Sequence, residues 1–137
     1  MKREKKKNSK KIMVVDDDLE ISNLFKMALQ KQGYDVFGFT DPLLALEHFK
    51  INYNACNLVI SDLRMPGMDG FQLLRNIKLL NPKINALLTT AFDISQDTEL
   101  SDNQDNGVID DFIQKPVTIR KLCTLVNSHL FEERKTG

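Results

Sequence analysis

The chain has 137 residues, 42% hydrophobic and 28% charged, and its 19 basic and 19 acidic side chains cancel. These proportions fit one globular domain with a little left over, and they exclude a partner selected by bulk charge. No apolar run approaches the ~20 residues a membrane span needs, and Ile12 to Val15 is too short for a signal-peptide core, so a cytoplasmic protein is expected.

Residues 1–11 carry seven Lys or Arg and almost nothing apolar, which predicts a disordered basic arm. It lacks aromatics for stacking, so it reads as a solubilising tail, and direct nucleic-acid binding is not expected. Ile12 to Val15 reads as a buried strand running straight into Asp16-Asp17-Asp18. Ile21, Leu24, Phe25, Ala28 and Leu29 then form one stripe of an amphipathic helix, with Asp18 as its N-cap and Gly33 at its C-terminal end. Tyr34 to Phe39 is a second strand. Asp41-Pro42 opens a second helix to about Ile51, with Leu44, Ala45 and Phe49 inward.

The third strand is Leu58-Val59-Ile60-Ser61, and it ends on Asp62 before a Pro- and Gly-rich loop. Asp69 caps a third helix, with Phe71, Leu74 and Ile77 on its apolar side and Asn81-Pro82 at its end. Ile84 to Thr90 is a fourth strand. Residues 93–107 hold few large apolar side chains, and the expectation there is a mobile or only partly helical segment. Asp110 to Gln114 is a short fifth strand leading into Lys115-Pro116. Thr118 caps a last helix carrying Ile119, Leu122, Val126 and Leu130, and 132–137 is a fraying tail. Cys56 and Cys123 have no metal-ligand spacing and read as reduced, partly buried thiols. His48 and His129 read as helix-surface residues without a role.

Five strand-helix repeats predict an α/β domain over 12–131, a doubly wound parallel sheet whose site lies at the carboxyl ends of its strands. Four strands end in something chemical: Asp16-Asp17, Asp62, Thr90 and Lys115. If the first, third, fourth and fifth strands are neighbours, these side chains converge. Crowded carboxylates without His or Cys suit Mg²⁺, with water positions left open for phosphate oxygens. Lys115 and the Thr90 hydroxyl can hold phosphoryl oxygens, and Asp62 can act as the nucleophile.

Over residues 11–131 the chain resembles the receiver domain of two-component response regulators. The matching motifs are Val14-Val15-Asp16-Asp17-Asp18, Ser61 through Gly70, Thr90-Ala91, and Phe112-Ile113-Gln114-Lys115-Pro116. The resemblance implies a flavodoxin-like (βα)5 fold with strand order 2-1-3-4-5. It implies Asp62 as phosphoacceptor and Mg²⁺ held by Asp17, Asp62 and the backbone carbonyl of Arg64, with Asp16 acting mainly through a metal-bound water and Mn²⁺ able to substitute. It also implies Thr90 and Lys115 on the phosphoryl group, a cis Lys115-Pro116 bond, and Phe112 as an aromatic switch coupled to Thr90. The implied partners are a sensor histidine kinase or phosphotransfer protein and a downstream protein, with room for a homodimer. The chain would catalyse only its own phosphorylation and dephosphorylation, with no output domain of its own.

Three readings stay open at this point. The chain could be a phosphorylated receiver, a degenerate receiver acting as a constitutive interaction module, or a metal-dependent phosphatase of another doubly wound family. Against the last, the lone exposed Asp follows the third strand and not the first. The chain departs from the family in the stretch Asn106 to Phe112, one residue longer after Gly107. Arg64 and Phe92, two residues beyond Asp62 and Thr90, are bulky, which predicts slower loss of phosphate than in their alanine variants.

Overall fold

The computed structural model describes residues 10–91 and 107–131. The expectations for residues 1–9, for Phe92 and the rest of the 92–106 segment, and for the 132–137 tail lie outside the described residues. The sheet has five parallel strands, β1 (Lys11–Val15), β2 (Asp35–Phe39), β3 (Leu58–Asp62), β4 (Asn85–Thr90) and β5 (Asp111–Gln114), in the order β2-β1-β3-β4-β5. Four helices are described: α1 (Leu19–Lys31), α2 (Pro42–Asn52), α3 (Gly70–Leu80) and α4 (Ile119–Leu130). This is the predicted doubly wound fold. β1 begins one residue early, because Lys11 joins the ladder opposite Asp35 and its ammonium meets that carboxylate at 2.8 Å.

Successive strand residues feed two cores. Met13, Val15, Val59, Ala86 and Leu88 pack with α2 and α3 on one face. Ile12, Val14, Ile60, Leu87 and Ile113 pack with α1 and α4 on the other. That is why the inner strands read as continuous apolar runs without alternation. The caps fall where the sequence puts them. Asp18 accepts from Glu20 and Ile21, Asp41 from Leu43, and Thr118 from Lys121. Asp69 and Gln72 form a reciprocal capping box. Gly33 leaves α1 at φ 99°.

In two helices one residue of the predicted inward face turns out while the rest hold. In α1 the buried line is Ser22, Phe25 and Leu29, and Leu24 is half exposed. In α2 Leu46 is buried with Ala45 and Phe49, whereas Leu44 is 59% exposed. The segment Leu43-Leu44-Ala45-Leu46 is apolar all round, so periodicity alone does not fix its phase. The large Phe49 ring, fully buried, does.

The two histidines are not bare surface residues. His48 packs on Phe37 and Phe39, with ring centroids 4.9 and 5.2 Å away. His129 on α4 lies 3.1 Å from Asp111 at the start of β5. The neighbouring Asp110 carboxylate takes both Lys78 of α3 and the Ala86 amide of β4, each at 2.8 Å. The start of β5 is thus tied to α3, β4 and α4. Both cysteines are free and buried, and burial pushes the Cys56 thiol up to about 11. No described helix is long and apolar enough to cross a membrane.

Candidate functional site

β1 and β3 are adjacent at the centre of the sheet, so the residues that end them meet. Asp16 follows β1 and is 2% exposed; Asp62 ends β3 and is 8% exposed. Each carboxylate is fixed by a local amide. Asp16 Oδ1 accepts from Asp18 N at 2.9 Å, and Asp62 Oδ1 accepts from Leu63 N at 3.0 Å. Asp17 is exposed beside them. One oxygen from each of Asp16, Asp17 and Asp62 lies within 4.8 Å of the others.

Lys115 follows β5, and its amide donates to the Thr90 carbonyl at 2.8 Å, which carries the ladder to the sheet edge. Its Nζ stands 3.3 Å from Asp16 Oδ2 and 3.2 Å from Asp62 Oδ1. The Lys115-Pro116 bond is cis, as the resemblance implies.

Burial raises the pKa of Asp16 and of Asp62, and a neighbouring carboxylate adds to the rise in each case: Asp62 for Asp16, Asp17 for Asp62. Lys115 offsets part of this. For Lys115 itself, burial pulls the pKa down, but the two carboxylates outweigh it and leave the ammonium above its ordinary value. Three carboxylates against one ammonium leave an excess of negative charge that a divalent cation would cancel. The donors are all hard oxygens, which fits Mg²⁺ or Mn²⁺.

The structure thus gathers Asp16, Asp17, Asp62 and Lys115. Thr90 ends β4 at the same edge and is buried, and its place in the strand continues the row of Leu88. Phe112, in register with Leu88, sits half-buried in that row's core, so Thr90 and Phe112 share a face. Arg64 lies exposed in the loop two residues beyond Asp62. Two residues at the site carry more than the sequence suggested. Gly70 opens α3 directly against the Asp62 backbone, and its amide donates to the Leu63 carbonyl at 2.8 Å. A helix-opening glycine where α3 could have taken a better helix former was the signal. Thr89, read only as strand, is in register with Asp62.

Comparisons with known proteins give the family and the fold. The family model for the response regulator receiver domain matches residues 12–127. The transcriptional regulatory protein ZraR of Klebsiella oxytoca is 34% identical over 123 residues, which cover 90% of this chain and 27% of that protein. The chain therefore spans about a quarter of the length of that regulator. Sporulation initiation phosphotransferase F of Bacillus subtilis is 28% identical over 122 residues, covering 89% of this chain and 94% of that protein. Among solved structures, a CheY-like response regulator receiver domain protein from Methanospirillum hungatei superposes with a TM-score of 0.81 at 31% identity, covering 95% of this chain and all of that one.

Proposed function

The chain belongs to the response regulator receiver domain family of two-component signalling, and from that premise we propose that it takes a phosphoryl group onto Asp62 and passes the change to a protein partner. The observation that carries this reading is the placement of Lys115 Nζ between Asp16 and Asp62 at 3.3 and 3.2 Å. An ammonium held there is set to meet charge on a group transferred to Asp62.

Asp62 uses one oxygen for the Leu63 amide and Lys115, which leaves the other free to attack phosphorus. In the reaction proposed, that oxygen forms a P–O bond while the P–N bond of a donor phosphohistidine breaks and the imidazole leaves. Lys115 then turns from the carboxylate to a phosphoryl oxygen. The Thr90 hydroxyl donates to another, and the displacement of Thr90 frees space on the face it shares with Phe112, whose ring reports the change. Asp16, Asp17, Asp62 and the Arg64 carbonyl would hold Mg²⁺, which when bound supplies neutralisation of charge on the transferring group. Return to the resting state is hydrolysis of the acyl phosphate in the same site.

The donor in this reading is a histidine kinase or phosphotransfer protein. An apolar hollow of about 450 Å³ adjoins Lys115, lined by Ile21, Leu24, Phe25, Pro116 and Val117. Leu24 lines it, and it gives a donor helix a surface beside Lys115. A relay role, in which the phosphoryl group moves on to another histidine, is favoured by the similarity to a phosphotransferase over 94% of that protein's length.

The test is intact-mass spectrometry after incubation with acetyl phosphate. The expected result is a gain of one phosphoryl group that needs Mg²⁺, is reversed by hydrolysis over time and more slowly once EDTA is added, and is lost in Asp62→Asn. Partner binding without any mass gain would instead identify a constitutive interaction module, and turnover of a phosphomonoester would identify a phosphatase.

A further inference from the structure

Among the described residues, Thr89 Oγ1 is the one buried side-chain polar atom without a hydrogen-bond partner. Its place in the sheet gives that fact a meaning. Side chains alternate along a strand with a period of two. Val14, Ile60, Leu87 and Ile113 all face the core under α1 and α4. Two residues further along each strand come Asp16, Asp62, Thr89 and Lys115. In the sheet order β1-β3-β4-β5, these four form one row of polar groups at the carboxyl edge of a single face. Thr89 is level with Asp62 on one side and Ile113 on the other. β4 lies between β3 and β5, so the 3.2 Å contact from Lys115 to Asp62 crosses the end of β4 on the face that Thr89 occupies.

We propose that Thr89 is a positioning residue for Lys115, its hydroxyl being the acceptor that the ammonium takes up when Asp62 is phosphorylated. This rests on the function proposed above. The ammonium has three N–H donors, and two are directed at Asp16 and Asp62. In the phosphorylated state Asp62 no longer presents a free carboxylate, and a phosphoryl oxygen replaces only one partner. An oxygen beneath the path of the lysine chain keeps the ammonium aimed along the row instead of swinging out toward solvent. The hydroxyl stays unpaired in the resting state because Lys115 is then held by the carboxylates. Thr90, one residue further along in the row of Leu88, is the hydroxyl assigned above to the phosphoryl group.

The experiment compares Thr89→Val, which keeps the shape and removes the hydroxyl, with Thr89→Ser, which keeps the hydroxyl. Losing a hydrogen bond to a charged group predicts phosphorylation by acetyl phosphate about tenfold slower in Thr89→Val. Thr89→Ser should stay within about twofold of the parent. Mg²⁺ affinity by calorimetry should be unchanged in both. The melting temperature of resting Thr89→Val should be at or above that of the parent, because an unpaired buried hydroxyl is removed. Should Thr89→Val fail to fold, Thr89→Ala takes its place with the same expected rates. Parent-like phosphorylation and decay in the apolar variant would overturn the assignment while leaving the proposed function intact. A parent protein that takes no phosphoryl group would instead overturn both.

Discussion

Gly70 and Asp62 approach so closely that a Cβ on the glycine would stand 2.4 Å from the Asp62 carbonyl oxygen and 2.6 Å from a Leu88 methyl. The obstacle is backbone, which cannot turn aside. In an unconstrained helix Gly→Ala gains up to ~1 kcal/mol. Here overpacking, typically ~1–3 kcal/mol, opposes that gain and wins. Gly70→Ala is expected to be less stable by about 1–2 kcal/mol in urea denaturation and to accept phosphate more slowly, because relief of the clash moves the backbone that carries Asp62. A variant as stable as the parent would show that α3 can retreat without cost.

The acidic cluster sets a pH dependence. Burial first, and then a neighbouring carboxylate, hold Asp16 and Asp62 above the ordinary value of 3.8. A group whose folded pKa exceeds its unfolded one favours folding below the unfolded value, and this contribution is lost as pH rises through the folded value. At neutral pH the ionised pair therefore works against the metal-free fold. Asp62→Asn should melt higher than the parent at pH 7, and the gap should close as pH falls toward 4. Thermal melts of both proteins across that window check the sign.

Mg²⁺ should reverse the same strain. A ligand that binds only the folded state at 100 times its Kd stabilises it by about 2.7 kcal/mol. The parent is expected to gain on that scale, and Asp17→Asn to gain much less at the same Mg²⁺ concentration. Equal gains in the two proteins would place the cation elsewhere.

Lys115→Met separates charge balance from transfer. The ammonium now touches both carboxylates that would serve the cation. Without it, Mg²⁺ meets no competing positive charge, so its affinity by calorimetry should rise several-fold. Phosphorylation should fall by about 10²-fold, the scale of removing one preorganised charge contact. A fall in both quantities would mean that Lys115 shapes the site and does not compete in it.

Cys56 is 8% exposed, and burial pushes its thiol up to about 11. Thiolate is then roughly a thousandth of the thiol at pH 8. Alkylation by iodoacetamide should be at least ~100-fold slower in the folded protein than in urea. Fast labelling of the native chain at Cys56 would show that the α2–β3 connection opens readily.

The strand ends were the legible part of this chain. A short apolar run that stops at a carboxylate, as at Asp62, or at a lysine and proline, as at Lys115, marks both an element and its exposed edge. Sheet order then brings those ends together. Helix phase was less legible. Leu44 and Leu46 are chemically alike, and only the packing of Phe49 decides which of them is inside. His129 was read as bare surface because its partner, Asp111, lies on another element. Thr89 was illegible for a related reason: it matters through a neighbour across the sheet, and sequence spacing does not report such neighbours, whereas Gly70 left only the faint mark of a glycine opening a helix.

β5 is held unevenly along its length. Its entry is pinned by Asp110, gripped from α3 and β4, and by Asp111, met by His129. Its exit carries Lys115. A strand held at one end would pivot and not slide when the other is pulled. On the function proposed above, a pull on the ammonium would reach Phe112 through a strand held at its entry, and the outer edge of the sheet would work as a lever whose fulcrum is two aspartates.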